Sequence, residues 1–456
     1  MDLTQRVDIN RTVMSSAPVA GGQRTVAMSP TDMNRTSVMA PIRGLEVEVV
    51  AGRTVTMANG PAREQFLLEL RAGGGSETFG GIVSGERTPM NLCLVIDRSG
   101  SMEGQPLEFV KQACSHVVDL LSPHDVLSIV TFEEMVEVLM PPQQVTNKDM
   151  VKAGIARLQA GNTTNLYDGI SLAMQQVLQF IETNRATRMI VLTDGDPTAG
   201  IKDYSALVNH AGELQSRGIS VTFLGFGPDY NEELLAGMAK RAGGNYYFIP
   251  QPQLIPEIFR SELEKLMTTV TRNMSLELKT ARWVSMRSPQ QASDGGSVHI
   301  SLADMERGSV IQQVIDLEFP NHPLGHYRVL GGKLTYEDLI AGQTTTIELD
   351  FEMEFSSDSA RYTAPVNPRV GQAASIVASS KAIEKTVMGL KTGAITQMGA
   401  IQELQKTQML LVGEGRTAEA QEVTMALRAL QSGDKGAAEK TLMGTFVNLD
   451  TGKSSK

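Results

Sequence analysis

The chain has 456 residues, enough at roughly 150 residues per domain for about three folding units. Its 41 basic and 51 acidic residues leave a net charge of −10, which excludes nucleic acid and anionic membrane as principal partners. Two cysteines, Cys93 and Cys114, each in an apolar run, form neither a zinc-ligand spacing nor a disulfide framework, so a reducing, cytoplasmic location is expected.

Residues 1–42 are rich in Ser, Thr, Pro, Gly and Asn, with Val and Met at no fixed period, and predict a disordered Thr-rich tail. Residues 1–40 lack the charged, apolar, small-residue order of a secretory signal, and no stretch approaches the ~20 apolar residues of a membrane span, so no membrane insertion is expected. From Gly44 the period becomes two: Leu45, Val47 and Val49 alternate with Glu46 and Glu48, and Phe66, Leu68 and Leu70 follow. Residues 89–252 instead show apolar runs at 92–96, 126–131, 189–193 and 219–226 separated by amphipathic helical stretches, which predicts an α/β fold with a doubly wound, mostly parallel sheet. Helical spacing of Ile255, Phe259, Leu263 and Leu266 carries the chain through a connecting helix, 253–269. Alternation then returns over 270–364. Because residues 43–88 offer too few strands for a two-layer core, they are expected to join 270–364 in one antiparallel β-sandwich into which the α/β region is inserted. Pro365 and Pro368 open a C-terminal helical unit, 365–456, of three or four helices broken at Gly393, Gly413, Gly415 and Gly433.

Polar turns follow two of the apolar runs and precede one helix. Asp97-Arg98-Ser99-Gly100-Ser101 ends the first strand, Asp194-Gly195-Asp196 ends the strand at 189–193, and Thr163-Thr164-Asn165 leads into the helix near Leu166. The carboxyl-end rim of a parallel sheet, where strand order reverses, is where ligands bind, and all three turns can reach it. Alone, the first turn is more often an N-cap and the second an ordinary strand-end turn. Together, in this order, they resemble the metal-ion-dependent adhesion site of von Willebrand factor A domains, of the bacterial type grouped with calcium-activated chloride channels and inter-α-trypsin inhibitor heavy chains. The resemblance covers about residues 89–250.

It implies a six-stranded sheet with one short antiparallel strand, here at 135–140. It also implies Mg²⁺ or Mn²⁺ held by Ser99, Ser101 and Thr164, with Asp97 and Asp194 acting mostly through water. Hard oxygen donors suit Mg²⁺, and carboxylates held back from the ion leave it positive and open to an Asp or Glu of a partner protein. The threonine turn lacks the family's frequent double glycine, so Thr163 is an alternative ligand, although spacing to Leu166 favours Thr164. Arg98 stands at a variable position, where it either assists an acidic ligand or faces solvent.

The six histidines show no metal spacing, and no serine or cysteine nucleophile motif is present, so no enzyme activity is expected. Gly452-Lys453-Ser454 lacks the upstream glycine of a phosphate loop. Arg-Thr pairs recur at Thr12, Thr25, Thr36 and Thr54, three of them with Met three residues on. They read either as a phosphothreonine tail for a Ser/Thr kinase and a phosphothreonine reader, or as a biased linker. The leading expectation is a metal-dependent protein-binding scaffold. A phosphorylation-regulated assembly protein and an accessory subunit of an AAA-type ATPase are the alternatives.

Overall fold

The period-two stretches after Gly44 fold as strands in the computed structural model, which describes residues 37–38, 44–73, 87–182, 184–227, 230–289, 291–293 and 295–455. First come β1 (Ser37–Val38), β2 (Leu45–Ala51), β3 (Val55–Met57) and β4 (Ala62–Ala72). In β2, Leu45 and Val47 are buried while Glu46 is exposed, as the pleat requires.

The α/β region runs β5 (Met90–Asp97), α1 (Gln105–Leu120), β6 (Val126–Phe132), β7 (Val136–Gln144), α2 (Lys148–Ala156) and α3 (Leu166–Val177). It continues through β8 (Ala186–Thr193), α4 (Tyr204–Ser216), β9 (Ser220–Phe226), α5 (Glu232–Arg241), β10 (Tyr246–Ile249) and α6 (Ile255–Met267). Six strands lie in the order β10-β9-β8-β5-β6-β7, parallel except for β7. Every residue of β5, β6, β8 and β9 is buried, which is why these strands read as unbroken apolar runs. The antiparallel strand expected at 135–140 extends to Gln144, because an edge strand tolerates Pro141 and Pro142. From β5 the sheet grows one way to β6 and the other way to β8, so its order reverses there.

Beyond α6 come β11 (Thr269–Thr280), β12 (Ser285–Ser288), β13 (Ser297–Leu302), β14 (Met305–Glu306), β15 (Ser309–Phe319), β16 (Gly325–Asp338) and β17 (Gln343–Ser356). The helices are α7 (Ser359–Tyr362), α8 (Pro368–Thr392), α9 (Gln397–Gly413), α10 (Thr417–Gln431) and α11 (Lys435–Asp450), followed by β18 (Lys453–Ser455). Two further sheets take strands from both sides of the α/β region. One runs β1-β2-β4-β15-β12 with β18 also on β15, and the other β13-β11-β16-β17-β3 with β14 also on β11. Phe66 meets Phe351 edge-on across the two sheets, ring centroids 5.6 Å apart, within one shared core.

The helices do more than form a unit of their own. Leu404, Val423, Leu430 and Leu442 share a core with Leu234, Met238 and Tyr246 of the α/β region, while Val370 and Ala373 of α8 pack on Val50, Leu67 and Val314. The stretch Gly452-Lys453-Ser454 enters β18, where Lys453 pairs with Ile311 and Ser454 with Val310.

Near the amino ends of β8 and β9 lies a buried ionic network. Arg188 reaches Glu262 of α6 and Asp304 of the β13–β14 turn, each at 3.1 Å. Arg272 of β11 donates to Arg185 O at 2.7 Å and Thr187 Oγ1 at 3.0 Å, and pairs with Glu337. These bonds clamp the α/β region to the antiparallel sheets at the end remote from the polar turns.

Candidate metal centre

Strand β5 delivers Asp97 to the rim with its side chain fully buried. Asp97 Oδ1 accepts from Ser99 N–H at 2.8 Å and Oδ2 from Thr193 Oγ1 at 2.5 Å. The turn then presents Ser99 and Ser101, whose hydroxyl oxygens lie 3.2 Å apart. Both hydroxyls reach Asp194 Oδ1, Ser101 at 2.7 Å and Ser99 at 3.4 Å. Gly195 keeps the space between turns clear: a Cβ there would stand 3.7 Å from Thr164 Oγ1 and 3.9 Å from Ser101 Oγ. Asp97, Ser99, Ser101, Thr164 and Asp194 thus come together on one rim at the reversal point. Thr164 is buried and its N–H donates to Thr198 Oγ1 at 2.8 Å, whereas the Thr163 hydroxyl is buried with no hydrogen-bond partner among the described residues.

Burial pushes the Asp97 carboxyl up to about 7; hydrogen bonds from Thr193 and Ser99 offset part of that, and Asp194 adds to it. Two buried carboxylates beside hydroxyls form a set of hard oxygen donors, which fits a hard divalent cation. Among the described residues, no three His, Cys, Asp or Glu side chains are grouped to hold a metal, which disfavours a zinc-type centre elsewhere.

Three supporting residues escaped the sequence reading. Thr193 holds Asp97, and Thr198 holds the threonine turn. Glu133, just beyond β6, braces two turns at once. Its Oε2 accepts from Asn162 N–H at 3.0 Å, its main-chain O from Asn165 N–H at 3.0 Å, and its Oε1 lies 3.3 Å from Arg98. Arg98 therefore turns toward Glu133 and, at 3.9 Å, Glu137, away from the free solvent considered for it. A side chain at Gly161 would push Glu133 aside, because a Cβ there would lie 2.3 Å from Glu133 Oε2. The available signal was position: Glu133 is a polar residue at the carboxyl end of a buried parallel strand.

Thr12, Thr25 and Thr36 lie outside the described residues. Thr54 is exposed ahead of β3, while its neighbour Arg53 donates to Ala364 O at 2.7 Å and pairs with Glu64 at 3.3 Å. No helix among the described residues is long and apolar enough to cross a membrane.

Residues 91–261 match the family model of the von Willebrand factor type A domain. Over 279 residues the chain is 29% identical to an uncharacterized protein of Synechocystis sp., covering 57% of this chain and 64% of that protein. Over 164 residues it is 31% identical to inter-alpha-trypsin inhibitor heavy chain H4 of Homo sapiens, covering 34% of this chain and 18% of that protein. The matches span less than two thirds of the length of these curated relatives. In fold the chain resembles a solved von Willebrand factor type A structure from Catenulispora acidiphila, with a TM-score of 0.64 at 18% identity over 85% of this chain and 90% of that one.

Proposed function

We propose that this chain, which carries a von Willebrand factor A domain over residues 91–261, is a non-enzymatic scaffold that captures an acidic group of a partner protein through a divalent cation. The observation that carries the reading is the meeting of Ser99, Ser101 and Asp194 oxygens within 3.4 Å, beside fully buried Asp97. Ser99, Ser101 and Thr164 would offer hydroxyl lone pairs to Mg²⁺ or Mn²⁺. Asp194 orients the two serines, and Asp97 is held by Ser99 N–H and Thr193. When bound, the cation supplies a Lewis-acid position that a partner's Asp or Glu carboxylate completes. Residues 43–88 and 270–364 serve as the frame that presents this rim, and 365–456 as its buttress.

Titration calorimetry with Mg²⁺ and Mn²⁺ tests the site. Asp97→Ala and Ser99→Ala are expected to abolish the binding isotherm while the circular-dichroism melt of the metal-free protein persists. Unchanged affinity in both variants would refute the assignment. Partner capture from lysate in Mg²⁺, lost in EDTA, tests the coupling of metal to protein binding.

A further inference from the structure

The C-terminal helices present one face that neither the shared core nor the metal rim uses. Helix α9 buries Ala400, Leu404, Thr407 and Leu411, spaced four, three and four residues apart. Its opposite face keeps the same rhythm in solvent. Met398, Gln402, Gln405, Met409 and Val412 are all exposed, Met398 by 65%, Met409 by 74% and Val412 by 58%. The stripe runs about four turns, roughly 21 Å, without a charged residue. On neighbouring α8, by contrast, the exposed positions ahead of Met388 are Lys381, Glu384 and Lys385. Glu403 and Lys406, which border the stripe, pair with each other at 2.8 Å. A solvated helix face normally carries charge, whereas an uncharged repeat of alternating four and three residues is the seam of a helix pair.

The order of residues along the stripe selects its occupant. Met398, Gln402, Gln405 and Met409 read the same from either end. A two-fold axis crossing the helix between Gln402 and Gln405 therefore sets Met398 level with Met409 of a second copy, and Gln402 level with Gln405 of that copy. Val412 then falls level with the half-buried Ile395 just ahead of the other helix. Thioethers pack on thioethers, and each amide, which both donates and accepts, meets a like amide. A palindromic stripe matches a partner bearing the same stripe run backwards, which a second copy supplies and a segment of other sequence does not. Charge points the same way: at −10, two copies repel through their acidic surfaces, and this face adds nothing to that repulsion.

We propose that two copies of this chain associate through an antiparallel α9 pair, closing a two-fold dimer. Polar layers fix its register at a cost in stability. One helix seam is also small against the ~800 Å² per partner of a standard interface, so the dimer assembles in the micromolar range. Each dimer carries two rims and gains avidity for a partner with two acidic groups. The pairing rests on α9 and stands whether or not the rim binds metal.

Sedimentation velocity on the full-length protein tests it. Gln402→Glu combined with Gln405→Glu sets carboxylates against carboxylates and is expected to raise the dimer dissociation constant by about tenfold or more. The circular-dichroism melt should not change, since both side chains are exposed. Gln402→Lys combined with Gln405→Lys should have the same effect, and an equimolar mixture of the two variants should restore the dimer. Cross-linking reads the direction of the pair. Cys93 and Cys114 are fully buried, so an introduced cysteine is the reactive one. Met398→Cys chains mixed with differently tagged Met409→Cys chains, treated with a short bismaleimide, should give about tenfold more heterodimer than homodimer, because like positions lie about 16 Å apart along an antiparallel pair. Excess homodimer would mean parallel helices and overturn the proposal. So would a chain that stays monomeric at ~100 µM, well above a micromolar dissociation constant, or a dimer indifferent to both charged variants. A monomer whose Met409→Cys thiol resists alkylation would overturn it as well, since a segment of the same chain would then cover the stripe.

Discussion

The two ends of the parallel sheet bury carboxylates equally deeply and treat them oppositely. At the rim, burial drives Asp97 up to about 7, with hydroxyl and amide donors giving partial relief. At the base, burial also pushes Glu262 up, but Arg188, Lys265 and hydrogen bonds from Thr222 and Tyr247 together outweigh it and hold the carboxyl below its ordinary range. Both side chains are fully buried, so burial does not separate them. The difference lies in what neutralises the charge. The base carries its own guanidinium, whereas Asp97 at the rim is met by the Thr193 hydroxyl and the Ser99 N–H. The base is a fastening that neutralises its own charge.

The sharpest way to break this contrast is to remove the fastening. Arg188→Ala leaves Glu262 and Asp304 buried without their guanidinium and is expected to lower stability by about 3–5 kcal/mol in urea denaturation. A loss under 1 kcal/mol would show that the base is not held by charge. Acid titration sharpens the same point. Because the folded Glu262 pKa is depressed, its contribution is present above the ordinary glutamate value of about 4.5 and is lost as pH falls through the folded value. Glu262→Gln should therefore flatten the decline of melting temperature below about pH 5, and an unchanged slope would contradict the assignment.

At the rim, Glu133→Ala should weaken Mn²⁺ binding about tenfold with little change in melting temperature, as expected for a group that orients ligands without touching the ion. Gly161→Ala should do the same by displacing Glu133, and the two changes combined should cost no more than one; additive losses in calorimetry would rule out a shared mechanism. The smallest effect belongs to the end of the chain. Truncation after Gly452 removes the β18 pairing and the Lys453–Glu306 contact, for an expected loss of about 1–2 kcal/mol and no change in metal affinity.

Much of the fold was legible because burial on both faces writes β5, β6, β8 and β9 as apolar runs, and because their polar ends fall on a single rim. The insertion was legible from too few strands on one side. What escaped is held by distant partners. The strand β18 is Lys-Ser-Ser, polar and without period, and is strand only because β15 offers hydrogen bonds there. Glu133 looks like any surface acid until the turn carrying Asn162 folds over it. Arg188 stands just ahead of the apolar run at 189–193, and its meaning depends on Glu262 and Asp304, far away in sequence.

The pairing of β4 with β15 sets a timetable for synthesis. Arg63 and Asp316, bonded across those strands, are 253 residues apart. At roughly 5–20 residues per second, β2 and β4 leave the ribosome roughly 13–50 s before their partner exists. Throughout that interval Leu45, Val47, Phe66, Leu68 and Leu70 have nothing to pack against, while the inserted α/β region can complete its own sheet. The nascent chain therefore carries an unfinished, apolar sheet edge beside a neighbour that has already closed.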